Sequence, residues 1–186
     1  MLLLQNKFTL KNEEVFNLAK VATVITNLFE DVEFTEPAKA LRDAGHEVVT
    51  IEKKAGEQVE GKHGEKLTID KGIDDVSAND FDALLIPGGF SPDQLRADDR
   101  FVAFTKAFME AEKPVFAICH GPQLLINAKA LEGRHATGYK SIAVDMEYAG
   151  AKFKDEEVVV CNNQLVTSRT PDDIPAFNRE ILKLLK

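Results

Sequence analysis

Apolar positions along this chain alternate between two periods. Val21–Thr26, His46–Glu52, Phe81–Pro87 and Val115–Ile118 are short runs rich in β-branched and aliphatic residues, the pattern of strands buried on both faces. Between them, Val32–Ala44 and Asp98–Glu112 carry apolar residues at helical spacing, the first ending at Gly45 and the second presenting Phe101, Phe104, Phe108 and Met109 as a core stripe. Residues 53–72, rich in Gly, Lys and Glu, predict a loop with a short hairpin around Glu65–Asp70. Further on, Gln123–Leu131 and Ser141–Gly150 read as helices. Glu157–Cys161 and Gln164–Ser168 read as a hairpin about Asn162-Asn163, and Pro171–Lys186 as a closing helix. Strand and helix thus alternate, which predicts a doubly wound α/β fold, mostly parallel, with helices on both faces of the sheet. In such sheets ligands bind at the carboxyl ends of strands, where Glu30, Gly89 and Cys119 should all lie.

The run Val115–Ile118 ends in Cys119-His120-Gly121-Pro122 and passes directly into a helix. Strand, sharp turn and helix N-terminus form the layout of a nucleophile elbow, in which unpaired N–H groups favour a thiolate and His120 can exchange a proton with it. A cysteine after an apolar strand is otherwise a core residue. A core position gains nothing from an adjacent imidazole and a tight turn, so Cys119 reads as the nucleophile. Gly88-Gly89 permits the Gly89 amide to point inward and, with the His120 amide, to form an oxyanion hole; alone, the pair would be a plain turn. Glu30 either caps the helix after it, a service Asp31 already offers, or projects toward Cys119; in the second case it must carry a proton and donate it to sulfur. Cys161 ends an apolar strand and reads as inert.

Composition narrows the setting. At 186 residues, with 44% hydrophobic and 29% charged, the chain suits one domain, whose strand–helix alternation begins at Lys20; residues 1–19 read as a short helix around Glu13–Ala19 or a disordered leader. A net charge of −8 disfavours nucleic-acid and membrane surfaces. Two distant cysteines form no disulfide framework and suit the cytoplasm. Four scattered histidines give no zinc pattern, and without a P-loop or G-x-G-x-x-G fingerprint no cofactor is expected.

Five segments carry a family resemblance: Phe29-Glu30-Asp31-Val32-Glu33, Gly61-Lys62-His63-Gly64, Leu85-Ile86-Pro87-Gly88-Gly89, Ala117-Ile118-Cys119-His120-Gly121-Pro122-Gln123 and Val166-Thr167-Ser168-Arg169-Thr170-Pro171-Asp172-Asp173. In order and spacing, over residues 20–186, the chain resembles the PfpI family, the protease-like members of the class I glutamine amidotransferase-like superfamily, and within it the bacterial YhbO/YfkM-type general-stress branch. The resemblance implies a flavodoxin-like sandwich, Cys119 as nucleophile, His120 as its base and Glu30 as the carboxyl beside sulfur. A glutamate of a neighbouring subunit orients the histidine in the family's protease pattern; Asp93 stands at that position here, one methylene shorter, and a helix cap is its equal alternative. Tyr139 matches a position near the pocket, with a core or hairpin role as the plain alternative, and His63 reads as structural or interfacial. The implied activity is cysteine-dependent chemistry on small carbonyls such as glyoxal and methylglyoxal or their adducts, of glyoxalase or deglycase type. A peptidase or amidase is the alternative, and a redox-sensing or chaperone-like stress protein the rival of another class. A homo-oligomer, a dimer or a hexamer of dimers, is expected.

Overall fold

The structure is a computed structural model that describes residues 18–186, so the helix expected around Glu13–Ala19 falls almost wholly outside the described residues. The chain opens with β1 (Lys20–Val24), α1 (Asp31–Asp43) and β2 (Glu47–Glu52), a β-α-β unit closed by Gly45 at φ 92°, which only glycine adopts without strain. A hairpin of β3 (Gln58–Glu60) and β4 (Lys66–Thr68) follows, then the short edge strand β5 (Lys71–Gly72) and the central β6 (Ala83–Ile86). Next come α2 (Ser91–Leu95), α3 (Asp99–Glu110), β7 (Val115–Ile118) and α4 (Pro122–Asn127). The last part holds β8 (His135–Ala136), α5 (Ala143–Tyr148), β9 (Lys152–Phe153), β10 (Val159–Cys161), β11 (Leu165–Ser168) and α6 (Ile174–Leu184).

Among the described residues seven strands form one sheet in the order β10-β11-β7-β6-β1-β2-β5, parallel throughout except for the β10–β11 hairpin. This is the expected flavodoxin-like, doubly wound arrangement. Successive residues of each strand feed opposite layers: Ala22, Leu84, Ile86, Val115 and Ala117 pack with Phe101, Phe104 and Phe108 of α3. Val21, Leu85, Phe116 and Ile118 pack instead with Phe34 and Leu41 of α1 and Phe177 and Ile181 of α6. The phenylalanine stripe of α3 is core, as its spacing predicts, and Phe104 meets Phe108 edge-on at 5.1 Å.

Two local readings differ from the sequence expectation. The hairpin strands are residues 58–60 and 66–68, because the Gly61–Glu65 segment forms the turn and Asp70 is drawn to Thr50, whose N–H and hydroxyl both donate to its Oδ2 at 2.8 Å. The helix after the elbow stops at Asn127 rather than Leu131, since Lys129 takes φ 53° and turns the chain away. The Asn162-Asn163 hairpin forms as expected, with φ 55° and 50° at the two positions.

Phe177, with no exposed surface, joins α6 to the sheet. Phe177→Ala is expected to lower unfolding stability by about 3–5 kcal/mol. Urea denaturation followed by circular dichroism measures the loss.

Candidate active site

Cys119 is the first residue past β7, and its N–H still donates to the Ser168 carbonyl at 3.0 Å, so the ladder with β11 holds it in place. Its φ is 61°, a left-handed conformation that a side-chain-bearing residue takes only at a cost of about 1–3 kcal/mol. The strain of the elbow therefore sits on the cysteine itself. Gly121 has an ordinary helical φ of −48°. Its smallness serves close approach instead, because a Cβ there would lie 2.5 Å from the Ile86 carbonyl oxygen and 2.9 Å from that of Ile118. Pro122 then starts α4 in the first turn, where a missing N–H leaves no bond unmade.

The sulfur is buried, with Cys119 only 7% exposed, and four groups address it. His120 Nδ1 lies 3.3 Å from Sγ, and the backbone N–H groups of Gly89 and His120 point at it. The fourth is the carboxyl group of Glu33, within hydrogen-bonding reach of the sulfur. Glu33 Oε2 accepts the Gly88 N–H at 2.9 Å, while Oε1 is buried with no hydrogen-bond partner among the described residues. Gly88 is required at this spot: a Cβ would stand 2.4 Å from Glu33 Oε2 and 2.7 Å from Cys119 Cβ.

The carboxyl beside sulfur is thus Glu33, and the expectation for Glu30 is corrected. Glu30 precedes α1 in an extended conformation, with φ −77° and ψ 113°, and makes no capping bond. From there its side chain leaves toward the cavity mouth, where Oε2 meets Lys62 Nζ at 2.8 Å and Oε1 meets His63 Nε2 at 3.0 Å. Three residues later, Glu33 falls on the buried stripe that α1 shares with Pro37 and Leu41. Asp31 does not cap the helix either; its carboxylate accepts the N–H groups of His63 and Glu65, pinning the Gly61–Glu65 turn against α1. Glu30, Asp31 and His63 bring potential ligand atoms within 4.8 Å of one another, yet Lys62 and these N–H groups already engage the carboxylate oxygens. The cluster reads as the clasp holding this turn.

Around the imidazole, Tyr139 stacks on His120 at 4.8 Å between ring centres and 29° between planes. Ser141 Oγ lies 3.1 Å from Nε2. Asp93, in the first turn of α2, is engaged by Arg96, with Oδ1 2.9 Å from Nε, and among the described residues makes no hydrogen bond to His120. Leu28, Glu30, Glu33, Lys62, Gly89, Phe90, Asp93, Cys119, His120, Gln123, Tyr139 and Pro171 enclose a cavity of about 740 Å³ that opens above the sulfur. Sequence reasoning missed Glu33, Lys62 and Ser141 as site residues. Glu33 left one signal, a carboxylate on the apolar face of an amphipathic helix.

Electrostatics set the protonation states. Burial, reinforced by the charge of Glu30, raises the Glu33 pKa from 4.5 to about 7, against the lowering pull of the Cys119 and Gly88 hydrogen bonds and of Lys62. Burial also pushes the Cys119 thiol well up, and an ionised Glu33 beside it adds to the effect, while the Gly89 and His120 amides oppose it. An ionised Glu33 therefore opposes the thiolate, which becomes accessible only while Glu33 carries its proton and can donate it to sulfur. Burial lowers His120 below its ordinary value, assisted by Lys62 and Arg96 and opposed by Asp93, so the imidazole is neutral and can accept a proton at pH 7.

The DJ-1/PfpI profile matches residues 19–184. The chain belongs to the DJ-1/PfpI family. General stress protein 18 of Bacillus subtilis is 72% identical over 168 residues, covering 90% of this chain and 98% of its own length. Protein/nucleic acid deglycase 2 of Escherichia coli is 63% identical over 167 residues, covering 89% of this chain and 97% of its own. Among solved structures, a two-domain protein of Anabaena variabilis with DJ-1/ThiJ/PfpI-like and ferritin-like domains superposes with a TM-score of 0.87 at 42% identity, over 89% of this chain and 49% of that one. The family assignment bears out both the resemblance and the fold expected from sequence. Among the described residues no helix is long and apolar enough to cross a membrane.

A carboxyl made less acidic by folding stabilises the protein fully below the unfolded value and loses that contribution as pH rises through the folded one. Native protein should therefore lose about 2–3 kcal/mol relative to Glu33→Gln between pH 4.5 and 7. Paired denaturation curves across that range check the sign; parallel curves would contradict it.

Proposed function

We propose that this protein is a cysteine-dependent enzyme acting on small reactive carbonyls, glyoxal and methylglyoxal, or on their adducts. The observation that carries the reading is the convergence on one sulfur of an imidazole nitrogen at 3.3 Å, two backbone amides and a protonatable carboxyl, beneath an open cavity. In the first step the Cys119 S–H proton passes to His120 Nδ1 and the sulfur lone pair bonds to the aldehyde carbon. The carbonyl π pair moves to oxygen, where the Gly89 and His120 N–H groups stabilise it until a proton returns from the imidazolium, giving a hemithioacetal. Glu33 stabilises the thiolate before attack by holding a proton beside the sulfur. The name of the Escherichia coli relative supports this direction, and the stress-protein name of the Bacillus subtilis relative fits a protective role in the cytoplasm.

Homo-oligomerisation belongs to the same proposal. Leu28 at 48% and Phe90 at 52% exposure place bare apolar surface at the cavity mouth, which a second copy of the chain would cover. Phe90→Asp is expected to shift the protein toward monomer in sedimentation velocity; an unchanged profile would count against association at this face.

Methylglyoxal consumption, with 2-hydroxy acid formed by net addition of water, tests the chemistry. Cys119→Ala should fall to the buffer background, His120→Ala by about 10²-fold or more, and Glu30→Gln by no more than a few-fold. Equal rates in native and Cys119→Ala protein would overturn the enzymatic reading.

A further inference from the structure

Beside the nucleophile and base, the segment 138–142 is pressed onto the elbow. Tyr139 N–H donates to the Cys119 carbonyl at 2.8 Å, and Ile142 N–H to that of Tyr139 at 3.0 Å, winding Lys140–Ile142 into a single tight turn. Gly138 admits the approach: a Cβ would meet Met146 Sδ at 2.9 Å and the Cys119 carbonyl oxygen at 3.2 Å. The segment thereby touches His120 twice, with the Tyr139 ring on its face and the Ser141 hydroxyl on its outer edge.

We infer that Ser141 is a positioning residue that fixes the tautomer of His120, accepting a hydrogen bond from Nε2–H so that the Nδ1 lone pair faces the Cys119 sulfur. The inference rests on the reading of Cys119 and His120 as nucleophile and base. A neutral imidazole has one N–H and one lone pair. With hydrogen on Nδ1 it would present a donor to a thiol and could not take the thiol's proton. With hydrogen on Nε2 the lone pair lies 3.3 Å from Sγ and the N–H lies 3.1 Å from a hydroxyl oxygen able to accept it. After proton transfer the imidazolium keeps the same Nε2–H bond, so Ser141 serves both states without moving. It thus supplies, inside one chain, an orienting contact of the kind expected of Asp93 across a subunit interface; within the chain Asp93 is engaged by Arg96. Among the described residues, the charged groups whose fields reach the imidazole are Lys62 from the β3–β4 turn, Asp93 of α2 and Arg96 just past its end. Ser141 adds no charge to them and acts through geometry alone.

Two variants test it, Ser141→Ala and Ser141→Thr, the second retaining the hydroxyl. Nitrogen-15 spectra of histidine-labelled protein read the tautomer directly and need no turnover. The native protein should show His120 protonated at Nε2 and bare at Nδ1, Ser141→Ala a mixture of tautomers, and Ser141→Thr the native pattern. The methylglyoxal kcat should fall about fivefold in Ser141→Ala with KM unchanged and return in Ser141→Thr, the worth of one neutral hydrogen bond. A native spectrum with hydrogen on Nδ1, or a Ser141→Ala spectrum identical to native, overturns the inference. Because the spectra are independent of substrate, absent methylglyoxal turnover would defeat the functional reading while leaving this one to be decided by the tautomer.

Discussion

A carboxyl and a thiol, both buried, are held against each other, and much of the local architecture follows from accommodating that pair. Neither group can ionise freely in so dry a place, and an ionised Glu33 holds the thiol up further. Gly88 must lack a side chain to leave room for the carboxyl, and its N–H must point at Glu33 Oε2. Cys119 must adopt a left-handed conformation to bring Sγ among the Gly89 and His120 amides. Each of these departures from local preference is local to the strand ends. The layers beneath, with Leu84, Leu85, Phe116 and Ile118 fully buried, supply the rigidity that holds them.

The parallel sheet explains why the pair can be assembled at all. β1, β6 and β7 are neighbours, so residues just past their carboxyl ends meet although they come from positions around 30, 88 and 119. The chain turns from β1 to β2 on one side and later to β6 on the other, which opens a crevice at that switch point. Helix α1 begins beside this crevice and brings Glu33 in on its first turn, and α4 begins there and carries the chain away from Cys119.

Much of this was legible in the sequence where one physical signal dominates. The four apolar runs became β1, β2, β6 and β7, and the elbow stood out because a strand, a Cys-His pair, a glycine and a helix-starting proline are consecutive. What was not legible depends on the angular register of side chains. Glu30 and Glu33 lie one helical turn apart in a single segment, and both the place of Glu30 just past the first strand and the family resemblance favoured the first. The extended conformation at residue 30 directs that side chain to Lys62 and His63, and only the position of Glu33 on the stripe with Pro37 and Leu41 argued for the second. Ser141 left no signal, because its meeting with His120 depends on a segment 21 residues away folding back over the elbow. The short pair β8 and β9 was invisible because each strand is only two residues long, with one exposed polar residue in each, His135 and Lys152.

The central claim, that Glu33 keeps a proton near neutrality for the sake of the sulfur, has a direct spectroscopic reading. Infrared difference spectra of native, Glu30→Gln and Glu33→Gln protein at pH 6.5 isolate the carbonyl stretch of a protonated, buried carboxyl group. That band should be present in native and Glu30→Gln protein and absent from Glu33→Gln. A band lost in Glu30→Gln and kept in Glu33→Gln, or absent from the native protein, would contradict the account.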